Sequence, residues 1–533
     1  MLKAKQRVSA LRGGQPDDFA ANGGGRDRSS LYAALMKRKI TPNGLGIRGM
    51  FAEGCRPWLI LFAAGALALV LRLLWLSRYG FDGDEIFSLQ AAGSTWGHLL
   101  VTAVNDKSHP PLFYAALKLW LMLFPANETQ VRLLSVLFGT ALIPVAFAIC
   151  RRLELAEADL AVVIVLIAVN GELIYYAQHT RMFPLFELSS GISILAIVYF
   201  LQAPVSWRVL VLLTVANSLM VYSHYWGWLA IAAQLMWVLL CQRAKVGAFV
   251  GSSLVVAVVF APWAIAVAAA LDQGGATAQI AWMGTDVGGL SSYAALLGTF
   301  NGEIDFAHAT TFGIILFLAP VAALFLRHLK REMETLVDVR SPGGWTILVA
   351  VPLMLTSLGS YLARQSVWGT RHLSMVAVPY LVLVGLSMTQ LSNPGVKKVL
   401  RCVILGWAVT AGIFSLAETD KDVRWEDIAR GIVLQDPVPV YAAEPFVRTA
   451  LEFHFKHSAA KTVAVSQQPS LGKIPDNRFW FVYRTPTGRG AAPEAQLAAY
   501  GDYVEKRLRT RSERRGRERQ EITALLIRPD RAN

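Results

Sequence analysis

Apolar runs dominate the chain up to about residue 417, and short polar, Gly/Pro-rich or basic stretches punctuate them. The runs are Trp58–Leu76, Val131–Ile149, Leu160–Tyr175, Phe183–Leu201, Val209–Tyr222, Trp226–Leu240, Val246–Ala270, Phe312–Leu326, Trp345–Leu362, Leu373–Thr389 and Val403–Leu416. A bilayer core needs about 20 apolar helical residues, so the pattern predicts a polytopic α-helical membrane protein with about eleven spans. Leu112–Phe124 is apolar but short. Were it to cross, Arg151 and Arg152 would fall on the wrong side, so it is expected to lie along the membrane surface. Beyond about Glu418 the period changes. Helical patterns at Trp425–Leu434 and Phe446–Phe455 alternate with strand-like Val438–Ala442, Thr462–Ser466, Phe479–Arg484 and Ile522–Ile527. A long charged helix is expected over Glu494–Arg519, completing a small α/β domain.

Composition sharpens this picture. Of 533 residues, 54% are hydrophobic and 17% charged, against roughly 25% charged in soluble domains; the mean hydropathy is +0.43. That excludes a disordered chain, a disulfide-rich secreted module and an ordinary cytosolic enzyme. The net charge of +14 calls for no nucleic acid, because basic loops orient membrane helices by staying cytoplasmic. Arg151-Arg152, Arg243 to Lys245, Arg327 to Arg331 and Lys397-Lys398 fall at alternate helix ends, as that rule requires. Three segments are expected: a basic cytoplasmic tail over 1–56, a transmembrane catalytic region over 57–417, and an external soluble domain over 418–533. The four cysteines show no metal or redox spacing.

Two sets of cations escape the inside rule: Arg181, and the group Arg364, Arg371 and His372, all at outer helix ends. Charged groups between apolar helices are costly and usually functional. The same face carries Asp82-Gly83-Asp84-Glu85 after the first run, and Asp106-Lys107-Ser108-His109-Pro110-Pro111 before the short helix. A carboxylate near apolar walls can serve as a general base; Asp84 is assigned that role, with Glu85 beside it as a second catalytic carboxylate or as a cap. The two prolines would set the height of Lys107 and His109, where a cation could grip a phosphate, although a plain turn explains them too. An aromatic belt explains Tyr175, Tyr176, His224, Tyr225 and Trp226; it does not explain Arg181. Arginine's planar fork suits phosphate oxygens. Carboxylates and cations gathered on one face suit a reaction in which a lipid phosphate leaves and a hydroxyl attacks.

The order of these motifs resembles the GT-C superfamily of polyprenyl-phosphate-sugar-dependent glycosyltransferases, in particular bacterial relatives of the protein O-mannosyltransferase and aminoarabinose-transferase branch. The likeness spans roughly Trp58 to Ser415: Asp84-Glu85, Asp106 through Pro111, Val131-Arg132-Leu133, Gln178 to Phe183, and Arg371-His372-Leu373. It implies a GT-C-like fold of about 11 to 13 transmembrane helices with juxtamembrane helices in the first external loop. It further implies an inverting sugar transfer from a polyprenyl-phosphate donor to a lipid, glycan or protein acceptor, at the extracytoplasmic face of a bacterial inner membrane. By this likeness Asp84 is the base, and His109, Arg181 and Arg371 contact the lipid phosphate; Asp106, Lys107, Tyr176, Arg364 and His372 join the substrate site. The chain departs from the pattern in three places. His179 stands where relatives often carry Glu, and Phe183 and His372 replace Tyr. Without that Glu no cofactor is expected, a divalent metal being the alternative. The rival class is a transporter or lipid flippase, for which Glu172 and Glu187 are the mid-span acids; no internal repeat supports it.

Overall fold

The computed structural model describes residues 56–78, 80–272, 289–302, 308–328, 339–364, 366–417, 424–434, 438–443, 445–457, 465–467, 478–486, 504–511 and 520–528. The basic tail and most of the loop between 272 and 310 lie outside the described residues, as do parts of the segment 494–519 and of the basic loop 327–331.

Helix α1 (Arg56–Leu73) leads into three short helices, α2 (Gly83–Gly93), α3 (Trp96–Asp106) and α4 (Leu112–Leu121), none long enough to cross a bilayer. The bundle continues with α5 (Glu128–Arg152), α6 (Glu157–Val169), α7 (Gly171–Ala177), α8 (Phe183–Gln202), α9 (Trp207–Ser223), α10 (Gly227–Cys241) and α11 (Val246–Asp272). It closes with α12 (Leu290–Asn301), α13 (Ala309–His328), α14 (Pro342–Ala363), a 3-10 turn over Thr370–Val376 running into α15 (Ala377–Thr389), and α16 (Pro394–Ala417). Among the described residues, seven helices are long and apolar enough to cross a membrane, or eight when the bent pair α6–α7 counts as one span; α9, α10 and α13 are apolar but shorter. Each of the apolar runs named above coincides with one of these helices or helix pairs. The chain is a polytopic helical membrane protein.

The break in α6–α7 shows how a bundle tolerates an interrupted span. The two halves meet at 47°, which frees backbone groups that have no water to bond. Arg72, fully buried on α1, donates to the carbonyls of Ala168 at 3.0 Å and Ile167 at 3.5 Å. Asn170 caps the second half, its Oδ1 accepting from Glu172 N and Leu173 N at 3.1 Å each. Deeper in the bundle, Ser193, Asn217 and Gln234 tie α8, α9 and α10 into a closed ring of side-chain hydrogen bonds. Their mutual satisfaction is what allows three polar side chains to be buried there.

After α17 (Trp425–Val433) comes a five-stranded mixed sheet: β1 (Val440–Ala442), β2 (Val465–Gln467), β3 (Phe479–Pro486), β4 (Val504–Arg511) and β5 (Gln520–Ile527), in the order β2-β1-β3-β5-β4. β1 pairs parallel with β2 and β3, while β5 runs antiparallel to β3 and β4. Helix α18 (Pro445–His457) packs against α2. One expectation is overturned: Val504–Arg511 is a strand, not part of a charged helix. Val504 and Leu508 sit four apart and mimic a helical face. In the fold β4 is an edge strand, where Lys506, Arg507 and Arg509 keep an open hydrogen-bonding edge from pairing with another chain.

Candidate active site

Asp82 starts α2 as its N-cap, its carboxylate accepting from Glu85 N at 2.6 Å, while Glu85 Oε2 accepts from Asp82 N at 3.3 Å. This reciprocal box fixes the first turn, and with it the direction of the two carboxylates that follow. Glu85 points into the bundle and is 1% exposed. Arg132 on α5 donates to both of its oxygens, at 2.8 and 2.6 Å, and Thr180 N donates to Oε1 at 2.9 Å. Arg132 also donates to the Leu76 and Gly80 carbonyls, so it closes the loop between α1 and α2. Burial alone would raise the Glu85 carboxyl, but Arg132, His179 and the Thr180 amide together hold it below the usual carboxylate range.

Asp84 points the other way. Its side chain is 43% exposed, and Oδ2 lies 3.9 Å from both Arg181 Nε and Arg371 Nη1. Arg181 is held by its other arm, Nη1 donating to the Asp84 carbonyl at 3.1 Å and to Ser88 Oγ at 3.4 Å, while its buried Nε has no hydrogen-bond partner. Burial pushes the Asp84 carboxyl up, and Arg181, Arg371, His109 and Arg484 outweigh it, so the group stays ionised below its ordinary value. Burial disfavours the charge on Arg181, but Asp84, Tyr114 and Asp106 more than restore it.

His109 Nδ1 lies 3.7 Å from Asp106 Oδ2 and otherwise lacks a partner. Burial, then Arg181 and Arg371, keep this imidazole neutral, well below its usual pKa. Burial raises Asp106 to about 6 against the pull of Arg181. His224 and His372 stand beside His109, and one ring nitrogen from each of the three lies within 4.8 Å of the others. Three imidazoles at that spacing have the chemistry to hold a metal ion.

The sequence-derived residues thus divide. Asp84, Asp106, His109, Arg181, Arg371 and His372 converge. Tyr176 is buried against Phe183, ring centroids 4.6 Å apart, and forms an aromatic wall of the same site. Lys107 takes a left-handed backbone (φ 57) as the C-cap of α3, and is half-buried. Arg364 ends α14 in the same conformation (φ 51), is exposed, and has no ion pair among the described residues. Gln178, from the matched Gln178–Phe183 stretch, serves α1: its Nε2 donates to the carbonyls of Leu71, Arg72 and Leu74. His179, in the place of the relatives' Glu, turns inward so that Nδ1 meets the Tyr175 carbonyl at 2.8 Å. Sequence reasoning missed two residues. The aromatic-belt pattern accounts for His224 without placing it in the site, where it bonds to His372. Tyr114, on the inner face of α4, is fully buried with an unpartnered hydroxyl among Arg181, Asp106 and Asp84. Its sequence signal is a hydroxyl three residues after Pro111, in a short helix whose other polar side chains are Lys118 and the indole of Trp120.

No protein-family model matches the sequence, and no curated protein matches it. In structure it is similar to ArnT from Cupriavidus metallidurans bound to undecaprenyl phosphate, at 14% identity and a TM-score of 0.54, over 88% of this chain and 98% of that one. It is also similar to the apo state of ArnT from the same organism, at 13% identity and a TM-score of 0.53, over 88% and 97% of the two chains. At such identities the likeness concerns the fold. The chain has the fold of these ArnT structures, a polytopic helix bundle followed by a small C-terminal sheet, in agreement with the fold class expected from its sequence.

Proposed function

We propose that this protein transfers a sugar from a polyprenyl-phosphate carrier to a hydroxyl of a lipid, glycan or protein acceptor, at the extracytoplasmic face of the membrane, with inversion at the anomeric carbon. The observation that carries the reading is the position of Asp84: an ionised, partly exposed carboxylate 3.9 Å from each of two arginines contributed by separate elements. The fold supports it as well, since it is that of an ArnT captured with undecaprenyl phosphate.

In this reading the carrier phosphate binds between Arg181 and Arg371, with His109 beside it, and the sugar reaches toward Asp84. The acceptor oxygen attacks the anomeric carbon from the face opposite the phosphate. The new C–O bond forms as the bond to the phosphate oxygen breaks. Asp84 takes the acceptor proton, and the carrier departs as polyprenyl phosphate, its added negative charge met by the arginines. Stabilising charge that develops on the leaving group is commonly the largest contribution to such a rate, and it removes the need for a general acid. Glu85 is assigned a positioning role, because Arg132, Thr180 and Asp82 saturate its oxygens. The soluble domain stands on the same side: His454 Nε2 meets the Phe81 carbonyl at 3.1 Å, two residues before the Gly83 that starts α2.

The test uses protein reconstituted in lipid, with radiolabelled polyprenyl-phosphate hexose, pentose and uronic acid offered in parallel alongside a membrane extract. Label is expected to move to a new species with the wild type and not with Asp84→Asn, while that variant keeps its melting midpoint. Equal transfer by both proteins would remove Asp84 as the base. No transfer from any donor, with lipid crossing the bilayer instead, would replace a transferase with a transporter.

A further inference from the structure

The hydrogen bonds of His224 fix where its proton lies. Nδ1 accepts the Trp226 backbone N–H at 3.2 Å, and a ring nitrogen that accepts carries no proton, so the proton of the neutral ring is on Nε2. Burial, then His109, Arg371 and Arg181, hold His224 well below its usual pKa and keep it neutral. Nε2 lies 3.1 Å from His372 Nδ1. His224 is therefore the donor of that bond and His372 Nδ1 the acceptor, which places the His372 proton on its own Nε2. That nitrogen is buried and has no hydrogen-bond partner among the described residues. Aromatic contacts hold both rings: Phe186 stacks on His224 with centroids 4.8 Å apart, and Trp226 stacks on His372 at 4.9 Å. A backbone amide thus sets, through two imidazoles, the polarity of a third position that no described residue satisfies.

We propose that His224 is a positioning residue which locks His372 as a neutral Nε2–H donor to a phosphate oxygen of the bound carrier. This rests on the reading above, in which Arg181 and Arg371 receive that phosphate. An unmet buried donor is costly unless a ligand supplies an acceptor, and Arg181 and Arg371, which both act on these rings, favour an anionic one. A metal ion would need an unprotonated lone pair from each ring. The lone pair of His224 is engaged by the Trp226 amide and that of His372 by His224, and the positive charge of Arg181 and Arg371 acts on the cluster.

The experiment uses the full chain in nanodiscs with 15N-labelled histidine, and undecaprenyl phosphate as the probe. In the wild type the His224 and His372 resonances are expected to report Nε2–H tautomers, and the His372 Nε2 signal should shift when the probe binds. His224→Phe keeps a ring against Phe186 but removes the donor; it should release His372 into mixed tautomers and weaken probe binding about tenfold, the scale of one hydrogen bond to a charged group. A tyrosine hydroxyl can also accept one bond and donate another, so His372→Tyr should bind the probe about tenfold more tightly than His372→Phe. Unchanged tautomers and affinity in His224→Phe would overturn the positioning role. So would one equivalent of bound zinc that copurifies with the wild type and is lost in His224→Phe, which would make the cluster a metal centre. Arg181→Ala separates the two readings: if it leaves probe affinity unchanged, the phosphate reading fails whatever the tautomers show.

Discussion

The pair Glu85–Arg132 offers a sharp test of whether one of two adjacent carboxylates is structural. Glu85 is 1% and Arg132 3% exposed. Four of the arginine's hydrogen bonds converge on the segment before and within α2, two to Glu85 and one each to Leu76 O and Gly80 O. Glu85→Gln keeps the shape but leaves a buried guanidinium with no counter-charge, a loss of roughly 3–5 kcal/mol when one partner of a buried pair is removed. Arg132→Met strands the carboxylate and should cost about as much. The double variant strands neither charge, so its cost should fall short of the sum by about 3 kcal/mol or more, a coupling at the upper end for residues in contact. Equilibrium unfolding in nanodiscs, followed by tryptophan fluorescence, closes the cycle, with sugar transfer measured on the same samples. Additive losses would refute the pairing. A Glu85→Gln protein that unfolds like the wild type yet transfers nothing would refute the positioning role and return Glu85 to the chemistry.

Two further outcomes follow from packing and burial. A Cβ at Gly344 would fall 2.0 Å from Trp237 Cε2, in a helix contact where both residues are buried; Gly344→Ala should destabilise by about 1–3 kcal/mol, as overpacking does, and an unchanged unfolding midpoint would show that α10 and α14 can part freely. Burial raises Asp106 to about 6, so the folded state binds a proton there that the unfolded chain has already released. Stability should therefore fall as pH rises between about 4 and 6, and Asp106→Asn should flatten that slope; parallel pH profiles of the two proteins would contradict the shift.

The helix bundle was legible because hydrocarbon imposes one rule on every span: an apolar run of sufficient length with its backbone bonded internally. That rule also exposed Arg181, Arg371 and His372, as polar residues at helix ends where the alternating basic loops did not need them. What stayed illegible depended on partners remote in sequence. Glu85 looks as catalytic as Asp84 until Arg132, 47 residues away, is seen to saturate it. His224 passed for a belt residue because its meaning lies in a bond to His372, 148 residues on. In the soluble domain, β4 was lost to a different cause: an edge strand draws its pattern from the water it faces, and its charges erased the alternation that marks a strand.

The contrast between Asp84 and Glu85 also shows why the shorter side chain stands at the exposed position. Successive helix residues point about 100° apart, so a single capped turn sends Glu85 into the bundle and Asp84 toward the arginines. At 3.9 Å from each, Asp84 polarises both guanidinium groups without closing a hydrogen bond to either. Neither guanidinium is tied up by this carboxylate, Arg181 Nε has no hydrogen-bond partner among the described residues, and the carboxylate stays free to take a proton. One more methylene would bring the carboxylate within contact of Arg181 or Arg371 and form the bidentate pair that arginine favours. Asp84→Glu should therefore keep the charge yet lose function twice, through a weaker base and through cations withdrawn from the donor. The measurement is undecaprenyl phosphate affinity alongside transfer rate. Both are expected to fall by about tenfold or more, the scale of one charge-assisted hydrogen bond diverted from the ligand; wild-type affinity in Asp84→Glu would show that the arginines do not hold the phosphate from where the fold places them.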